Sequence, residues 1–312
     1  MALKQVLEIT DLLDRAAITG EGVASFFRQR GVKNLEVQTV RGEKGKTDFV
    51  KFLIPGTKGK EGKGDAPTLG VIGRLGGLGA RPNVLGLVSD SDGAVCALSI
   101  CLKIIDMQAK GDFLSGDVIV ATHICPDAPT QPHEPVPFMG SPVDMATMNR
   151  LEVDKRMDAI LSFDTTKGNR VINHRGFAIS STVKEGYILR ISEDLLEIMQ
   201  ITTGRLPVVF PITMQDITPY GNGLFHLNSI LQPCIATDAP VVGVAITAEV
   251  AVPGCGTGAS HEVDMEQAVR FGVEVAKTFG KGSLRFYDPE EFSRCIALYG
   301  SMKHLQGMGT KR

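Results

Sequence analysis

Acidic residues and histidines stand where several short apolar runs of the sequence end or begin. They are Asp90, Asp92, His123, Asp127, Asp164, His261 and Glu262. Carboxylate oxygens and imidazole nitrogens gathered in one pocket are the donors that bind zinc or a harder metal ion. Converging carboxylates repel each other, so they must either take up protons or bind a cation. The pattern therefore predicts a metal site, provided that these side chains meet.

The apolar runs predict the elements that would bring these side chains together. Helices are predicted in the first 30 residues and over residues 93–110, 144–156, 193–203, 262–279 and 290–303. Strands are predicted over residues 35–40, 49–54, 68–72, 117–122, 159–163, 178–182 and 241–246. Short apolar strands that alternate with helices are typical of an α/β fold, a mostly parallel sheet with helices on both faces. Such sheets bind ligands at the carboxyl ends of their strands.

Each of the polar residues also has an ordinary structural interpretation. Asp90 or Asp92 fits the N-cap of the helix that follows. Asp164 fits an Asx turn. His261 and Glu262 fit the cap and the first turn of the helix predicted over residues 262–279. The metal interpretation depends on their joint arrangement and not on any one of them.

Composition limits the classes of protein to consider. The chain has 312 residues, 43% of them hydrophobic, and a net charge of −2. That charge favours neither nucleic acid nor an anionic membrane as a partner, and no apolar run is long enough to span a bilayer. The six cysteines form no CxxC pair, and acidic residues near the N-terminus argue against a signal peptide. We expect a cytoplasmic protein with one domain over residues 1–312.

Five segments together resemble one enzyme family, the zinc-dependent exopeptidases, and most of all their glutamyl and tetrahedral aminopeptidase branch. The segments are VLEITDLLDRAAITGEGVASFFRQR, TLGVIGRLGGLGARPN, GDVIVATHICPD, MDAILSFDTT and GASHEVDMEQAV. Their order and rough spacing match over nearly the whole chain. The chain also looks like an uncharacterised bacterial and archaeal family grouped with these peptidases. The resemblance implies a three-layer α/β fold.

The resemblance implies which residues would hold metal. The first metal of the peptidases would take Asp90, Asp127 and His261. The second would take Asp90, Asp164 and Arg74, but an arginine has no free lone pair with which to bind zinc. We therefore expect one Zn (or Mn) per chain, with Arg74 forming an ion pair between Asp90 and Asp164. The alternative is an Arg74 that points to solvent.

The family's general base is also missing. It would fall on Pro126, and the aspartate of the family's His-x-Asp motif would fall on Gly76. His123, His133 and Glu134 are nearby candidates for the lost proton transfer, which is worth roughly 10²–10⁴ in rate. Alternatively, His123 is a satisfied histidine at the end of a buried strand, and the other two belong to a solvated loop.

Two functions follow from the resemblance. The first is a one-metal hydrolase of a small peptide, amide or amino-acid derivative. The second is an inactive homologue that binds a small ligand or a protein partner in the same cleft. The short segment between Arg74 and Asp90 leaves no room for the dimerisation domain that many family members carry there, although a homo-oligomer is still possible. A serine hydrolase or a dinucleotide enzyme is not indicated, because the chain lacks GxSxG and a correctly spaced GxGxxG.

Overall fold

A computed structural model of the chain describes residues 1–134 and 136–309. Its helices are α1 (Leu3–Leu13), α2 (Gly20–Arg28), α3 (Asp92–Gln108), α4 (Met145–Glu152), α5 (Glu193–Thr203), α6 (Glu262–Gly280) and α7 (Pro289–Tyr299). Its longer strands are β1 (Leu35–Gly42), β2 (Gly45–Ile54), β3 (Leu69–Gly73), β4 (Val118–Ile124), β7 (Ala159–Thr165), β8 (Gly176–Ile179) and β11 (Val241–Thr247). Four two-residue strands complete the set: β5 (Thr130–Gln131), β6 (Phe138–Met139), β9 (Val183–Lys184) and β10 (Tyr187–Ile188).

One mixed sheet forms the centre of the molecule, with the strand order β1-β2-β4-β3-β7-β11-β9-β10 and β8 paired to β11. The central strands β4, β3, β7 and β11 are parallel, and the strands at both sides of them are antiparallel. Every residue of β3, β4 and β11 is buried, as expected for strands covered on both faces. The predicted α/β fold with a mostly parallel sheet is confirmed.

Helices α1, α3 and α6 pack together on one face of the sheet. Helix α3 is buried nearly all round its axis, as its continuous apolar sequence predicts. Gly93 lets this helix begin directly against the ends of β3 and β7. A Cβ at that position would lie 2.3 Å from the carbonyl oxygen of Arg74 and 2.6 Å from that of Phe163.

The other face of the sheet is covered by α4 and by residues 204–240, which contain few regular elements. Phe210 and Leu231 from this segment pack with Ile160 of β7 and Ala245 of β11 in a second apolar cluster. The sheet is therefore the middle of three layers, one of them mainly coil.

The structure differs from the predicted elements at points that matter for the site. Helix α4 ends at Glu152 because the next residue, Val153, is extended with ψ 131°. Strands β4 and β7 each run further than predicted. As a result His123 and Asp164 lie inside strands and not after them. The two-residue strands were not predicted, because they are too short to show a period of two.

All six cysteines are free thiols in the structure, and five of them are buried. Within the described residues, no helix combines the length and the apolar character that crossing a bilayer requires.

Candidate functional site

The candidate site lies where the chain changes direction across the sheet, at the carboxyl end of β3. The connection from β3 to β4 runs through α3 on one face, and the connection from β4 to β7 runs through α4 on the other face. Such a switch point opens a crevice beyond the strand ends. Asp90, Arg74, His123 and Asp164 all lie at this edge of the sheet.

Asp90 is held by the glycine-rich loop that follows β3. Its Oδ2 accepts hydrogen bonds from the backbone N–H groups of Gly76 (2.5 Å) and Gly77 (3.0 Å). Its own N–H donates to the carbonyl oxygen of Gly254 at 3.0 Å. The side chain is half-buried, and no described residue donates a hydrogen bond to Oδ1. The loop thus fixes one oxygen of Asp90 and leaves the other free.

Asp164 lies on β7 and is only 4% exposed. Its Oδ1 accepts from the N–H of Thr165, and its Oδ2 accepts from the hydroxyl of Ser229, both at 2.8 Å. Ser229 belongs to the covering segment 204–240. Tyr220 of the same segment lies nearby, and burial together with the charge of Asp164 raises the pKa of its phenol. Both oxygens of Asp164 are therefore held by neutral hydrogen-bond donors.

The two carboxyl groups influence each other's titration. Burial, with the charge of Asp90, raises the pKa of Asp164 from 3.8 to about 8. Burial also raises the pKa of Asp90 to about 6, against the lowering effect of the Gly77 and Gly76 amides. Desolvation and a like charge both favour the neutral acid. Between about pH 6 and pH 8, Asp164 therefore holds its proton while Asp90 is ionised.

A second buried group links Arg74, Glu152 and His123. Arg74 is 1% exposed, and its Nη1 lies 2.5 Å from Oε2 of Glu152. His123 Nδ1 lies 3.0 Å from the other oxygen of Glu152. Burial acts to raise the pKa of Glu152, but the charge of Arg74 and the His123 hydrogen bond outweigh it and lower that pKa. Glu152 is therefore an anion shared by two partners.

The predicted ion pair of Arg74 with Asp90 and Asp164 is wrong. Arg74 does not point to solvent either, because its carboxylate partner is Glu152, which α4 brings in from the opposite face of the sheet. The charge of Arg74 still reaches Asp164 and lowers the pKa of that carboxyl, though less than burial raises it. Sequence reasoning missed Glu152. One indication of its role was available in the sequence, because Glu152 is an acidic residue on the inner face of a predicted helix.

A third buried group fastens the start of α3. Lys167 Nζ lies 2.6 Å from Oδ2 of Asp92, and both side chains are fully buried. The hydroxyl of Ser260 donates to Oδ1 of Asp92 at 2.5 Å. These contacts tie the loop over residues 253–260 to α3 and so keep Gly254 against Asp90. Neither Lys167 nor Ser260 was predicted to take part, since nothing in their sequence spacing marks them.

The other predicted site residues lie outside this centre. Asp127 is exposed, and its Oδ1 is 3.8 Å from the Cys125 thiol. His261 is exposed at the N-cap of α6, which is the ordinary structural interpretation given above. His133 and Glu134 are exposed in a loop.

The metal prediction required Asp90, Asp127, Asp164 and His261 to meet. Asp90 lies close enough to raise the pKa of Asp164, whereas Asp127 and His261 are exposed. Among the described residues, no three His, Cys, Asp or Glu side chains lie close enough together to hold a metal ion. The donors therefore do not fit the predicted one-metal site. Arg74 and Lys167 supply positive charge beside the acids instead.

Comparison with known proteins places the chain in a family. The model of the family described as "Protein of unknown function (DUF1177)" matches residues 38–309. The chain belongs to this family. A search of curated proteins finds no relative of this DUF1177 protein. Among solved structures, a crystal structure of the LapA aminopeptidase of Legionella pneumophila is similar at 14% identity and a TM-score of 0.47. The match covers 91% of this chain and 70% of that chain.

Proposed function

We propose that the chain is a hydrolase of a small peptide, amide or amino-acid derivative, with Asp90 and Asp164 as its reactive groups. One observation carries the proposal: two carboxyl groups lie at the switch point of the sheet, and each is fixed by directed donors. A pair of acids in unequal environments provides one acid and one base at the same pH. The resemblance of five segments to exopeptidases supports an amide bond as the target.

The proton on Asp164 suffices for amide hydrolysis. Asp90, with the lower pKa, takes a proton from water as that water attacks the carbonyl carbon. Asp164, with the higher pKa, gives its proton to the carbonyl oxygen. When the C–N bond breaks, Asp90 passes its proton to the departing nitrogen, and Asp164 recovers one from the hydroxyl of the intermediate. Atoms and charges balance over the cycle, and such transfers supply roughly 10²–10⁴ each in rate.

The predicted Zn or Mn ion has no step in this mechanism, because the described donors do not form the set that would bind it. His123, predicted as a catalytic candidate, has a positioning role here: it holds Glu152, which in turn holds Arg74. His133 and Glu134, exposed residues of a loop, have no role in this mechanism. The cytoplasmic location, the single domain and any homo-oligomer stay predictions.

The test is an assay of hydrolysis with a panel of dipeptides and N-acyl amino acids, in which the free amine that is released is measured. We expect turnover by the wild-type chain and a loss of at least about 100-fold for Asp90→Asn and for Asp164→Asn. Asp127→Asn is the matched control, because this exposed aspartate lies near the same sheet edge without belonging to the pair. Unchanged turnover in Asp90→Asn would exclude the carboxyl pair, whereas loss in Asp127→Asn would restore the metal set.

The second candidate is an inactive homologue that binds a small ligand, and one observation favours it. The buried Arg74–Glu152 ion pair stands where the resembling peptidases carry a metal-binding histidine, and Pro126 stands at the place of their base. Calorimetry with the same panel separates the two functions. Saturable binding that Asp90→Asn weakens, without any amine release, supports the binder, and release of amine supports the hydrolase.

A further inference from the structure

A large cavity lies at the opposite edge of the sheet from Asp90 and Asp164. It has a volume of about 1010 Å³, at the upper limit of the range of ligand-binding clefts. Residues 155–158, which precede β7, and residues 237–240, which precede β11, contribute to its wall. Because both segments enter the amino ends of parallel strands, the cavity is separate from the candidate site at the carboxyl ends.

The side chain of Asn149 is the unusual feature of this cavity. It lies on the inner face of α4, lines the cavity and is 2% exposed. Within residues 1–134 and 136–309, neither its Oδ1 nor its Nδ2 has a hydrogen-bond partner. A buried amide without partners costs roughly 1–3 kcal/mol, so its presence calls for an explanation. A ligand that both donates and accepts hydrogen bonds would satisfy both atoms.

The remaining lining specifies the rest of the ligand. Arg150 and Lys155 are exposed at the cavity, and neither has a carboxylate partner among the described residues. Val153, Met157 and Ile235 give the wall an apolar part. The two carboxylates of the same wall, Asp158 and Asp238, are already paired with Lys60 and Lys303. The two unpaired cations therefore match an anionic group, and the apolar wall matches a hydrocarbon group.

We propose that this cavity binds a small carboxylate that carries an amide and an apolar group, such as an N-acylated amino acid. The amide pairs with Asn149, the carboxylate faces Arg150 and Lys155, and the apolar group packs on Val153 and its neighbours. This site is independent of the proposed hydrolase function. It shares only α4 with that site, since Glu152 stands one turn beyond Asn149.

The test is calorimetric titration of the full chain with N-acetyl-L-leucine. We expect saturable binding that weakens at least tenfold in Asn149→Leu and severalfold in Arg150→Gln and Lys155→Gln. Lys110→Gln, which changes an exposed lysine outside the cavity, is the control and should bind like the wild type. N-acetyl-L-leucinamide should lose the dependence on Arg150, and 4-methylpentanoate should lose the dependence on Asn149.

Thermal unfolding of the same variants separates binding from folding. Asn149→Leu should unfold at the same or a higher temperature than the wild type, because it removes an unpaired buried amide. Asn149→Ala serves as a second variant in case leucine fits poorly. The proposal is overturned if N-acetyl-L-leucine shows no saturable binding, or if both Asn149 variants bind it as tightly as the wild type.

Discussion

At the scale of the residue, Asp164 is a buried carboxyl group with a strongly raised pKa. Its pKa is about 8 in the folded chain, against an ordinary value of 3.8. Between these two values the folded state holds a proton that the unfolded state has released. The contribution of Asp164 to stability therefore falls as the pH rises from about 4 to about 8, and the loss is complete above that range.

We predict that Asp164→Asn removes this dependence. Compared with the wild type, the variant should gain stability progressively as the pH rises from 4 to 8. The total should be a few kcal/mol, since one pKa unit corresponds to about 1.4 kcal/mol. Urea unfolding at a series of pH values measures the difference. Asp127→Asn is the control, because an exposed carboxylate should give no such trend.

Glu152 gives a second prediction at this scale. Glu152→Gln leaves the Arg74 guanidinium buried without a carboxylate, which should lower the free energy of unfolding by about 3–5 kcal/mol. Glu61→Gln, in an exposed ion pair with Arg156, should change it by less than about 1 kcal/mol. Urea unfolding of both variants at one pH makes the comparison. Equal small effects would mean that the buried pair contributes no more than the exposed one.

The residue types at the site could be predicted from sequence only in part. Asp90 and Asp164 were found because Asp90 precedes a recognisable apolar run and Asp164 ends one. Glu152 and Ser229 were missed because their partners come from distant segments, and spacing along one chain cannot show such contacts. Asp127 and His261 were misplaced for the opposite reason. Their spacing fits the resemblance, but local geometry turns both side chains to solvent.

At the scale of the element, the site depends on how closely α3 approaches β3 and β7. The carbonyl of Gly93 also lies near Gly73, where an added Cβ would come within 2.6 Å of it. This close approach fixes the position of the turn that carries Asp90 relative to the loop over residues 74–77. Helix α3 therefore positions the acid as well as filling the core.

We predict that Gly93→Ala separates these elements. Its new methyl group would contact two backbone carbonyl oxygens that cannot move independently. The expected cost is about 1–3 kcal/mol in stability, together with loss of any activity that needs Asp90. Gly62→Ala is the control, because nothing lies within 4 Å of a Cβ there. Thermal unfolding of both variants is sufficient, and matching melting temperatures would contradict the close-approach account.

Element types were predictable wherever the sequence gives a long periodic or continuous apolar signal. Helix α5 was predicted with its observed bounds, because Ser192 caps it and Gly204 ends it in a left-handed conformation. Helix α4 was predicted too long, since polarity alone does not reveal that Val153 turns into an extended conformation. The covering segment 204–240 gives no periodic signal, so its contribution of Ser229 was beyond sequence reasoning.

At the scale of the whole molecule, the balance of buried charge argues for stability without metal. Two buried cations, Arg74 and Lys167, stand beside the acids Glu152 and Asp92, and the Asp90–Asp164 pair is partly neutralised by a proton. We predict that dialysis against a chelator leaves the melting temperature unchanged at neutral pH. A drop of several degrees that added Zn²⁺ or Mn²⁺ reverses would mean that an ion is part of the native fold.

The proposed chemistry depends on Asp164 holding a proton near neutral pH while Asp90 is ionised. Carbon-13 NMR of chain labelled at the aspartate carboxyl carbons measures it directly. We expect one resonance that titrates near pH 8 and disappears in Asp164→Asn, and a second, near pH 6, that disappears in Asp90→Asn. If neither variant removes a resonance that titrates above pH 5, the two carboxyls are ordinary and the proposed chemistry is wrong.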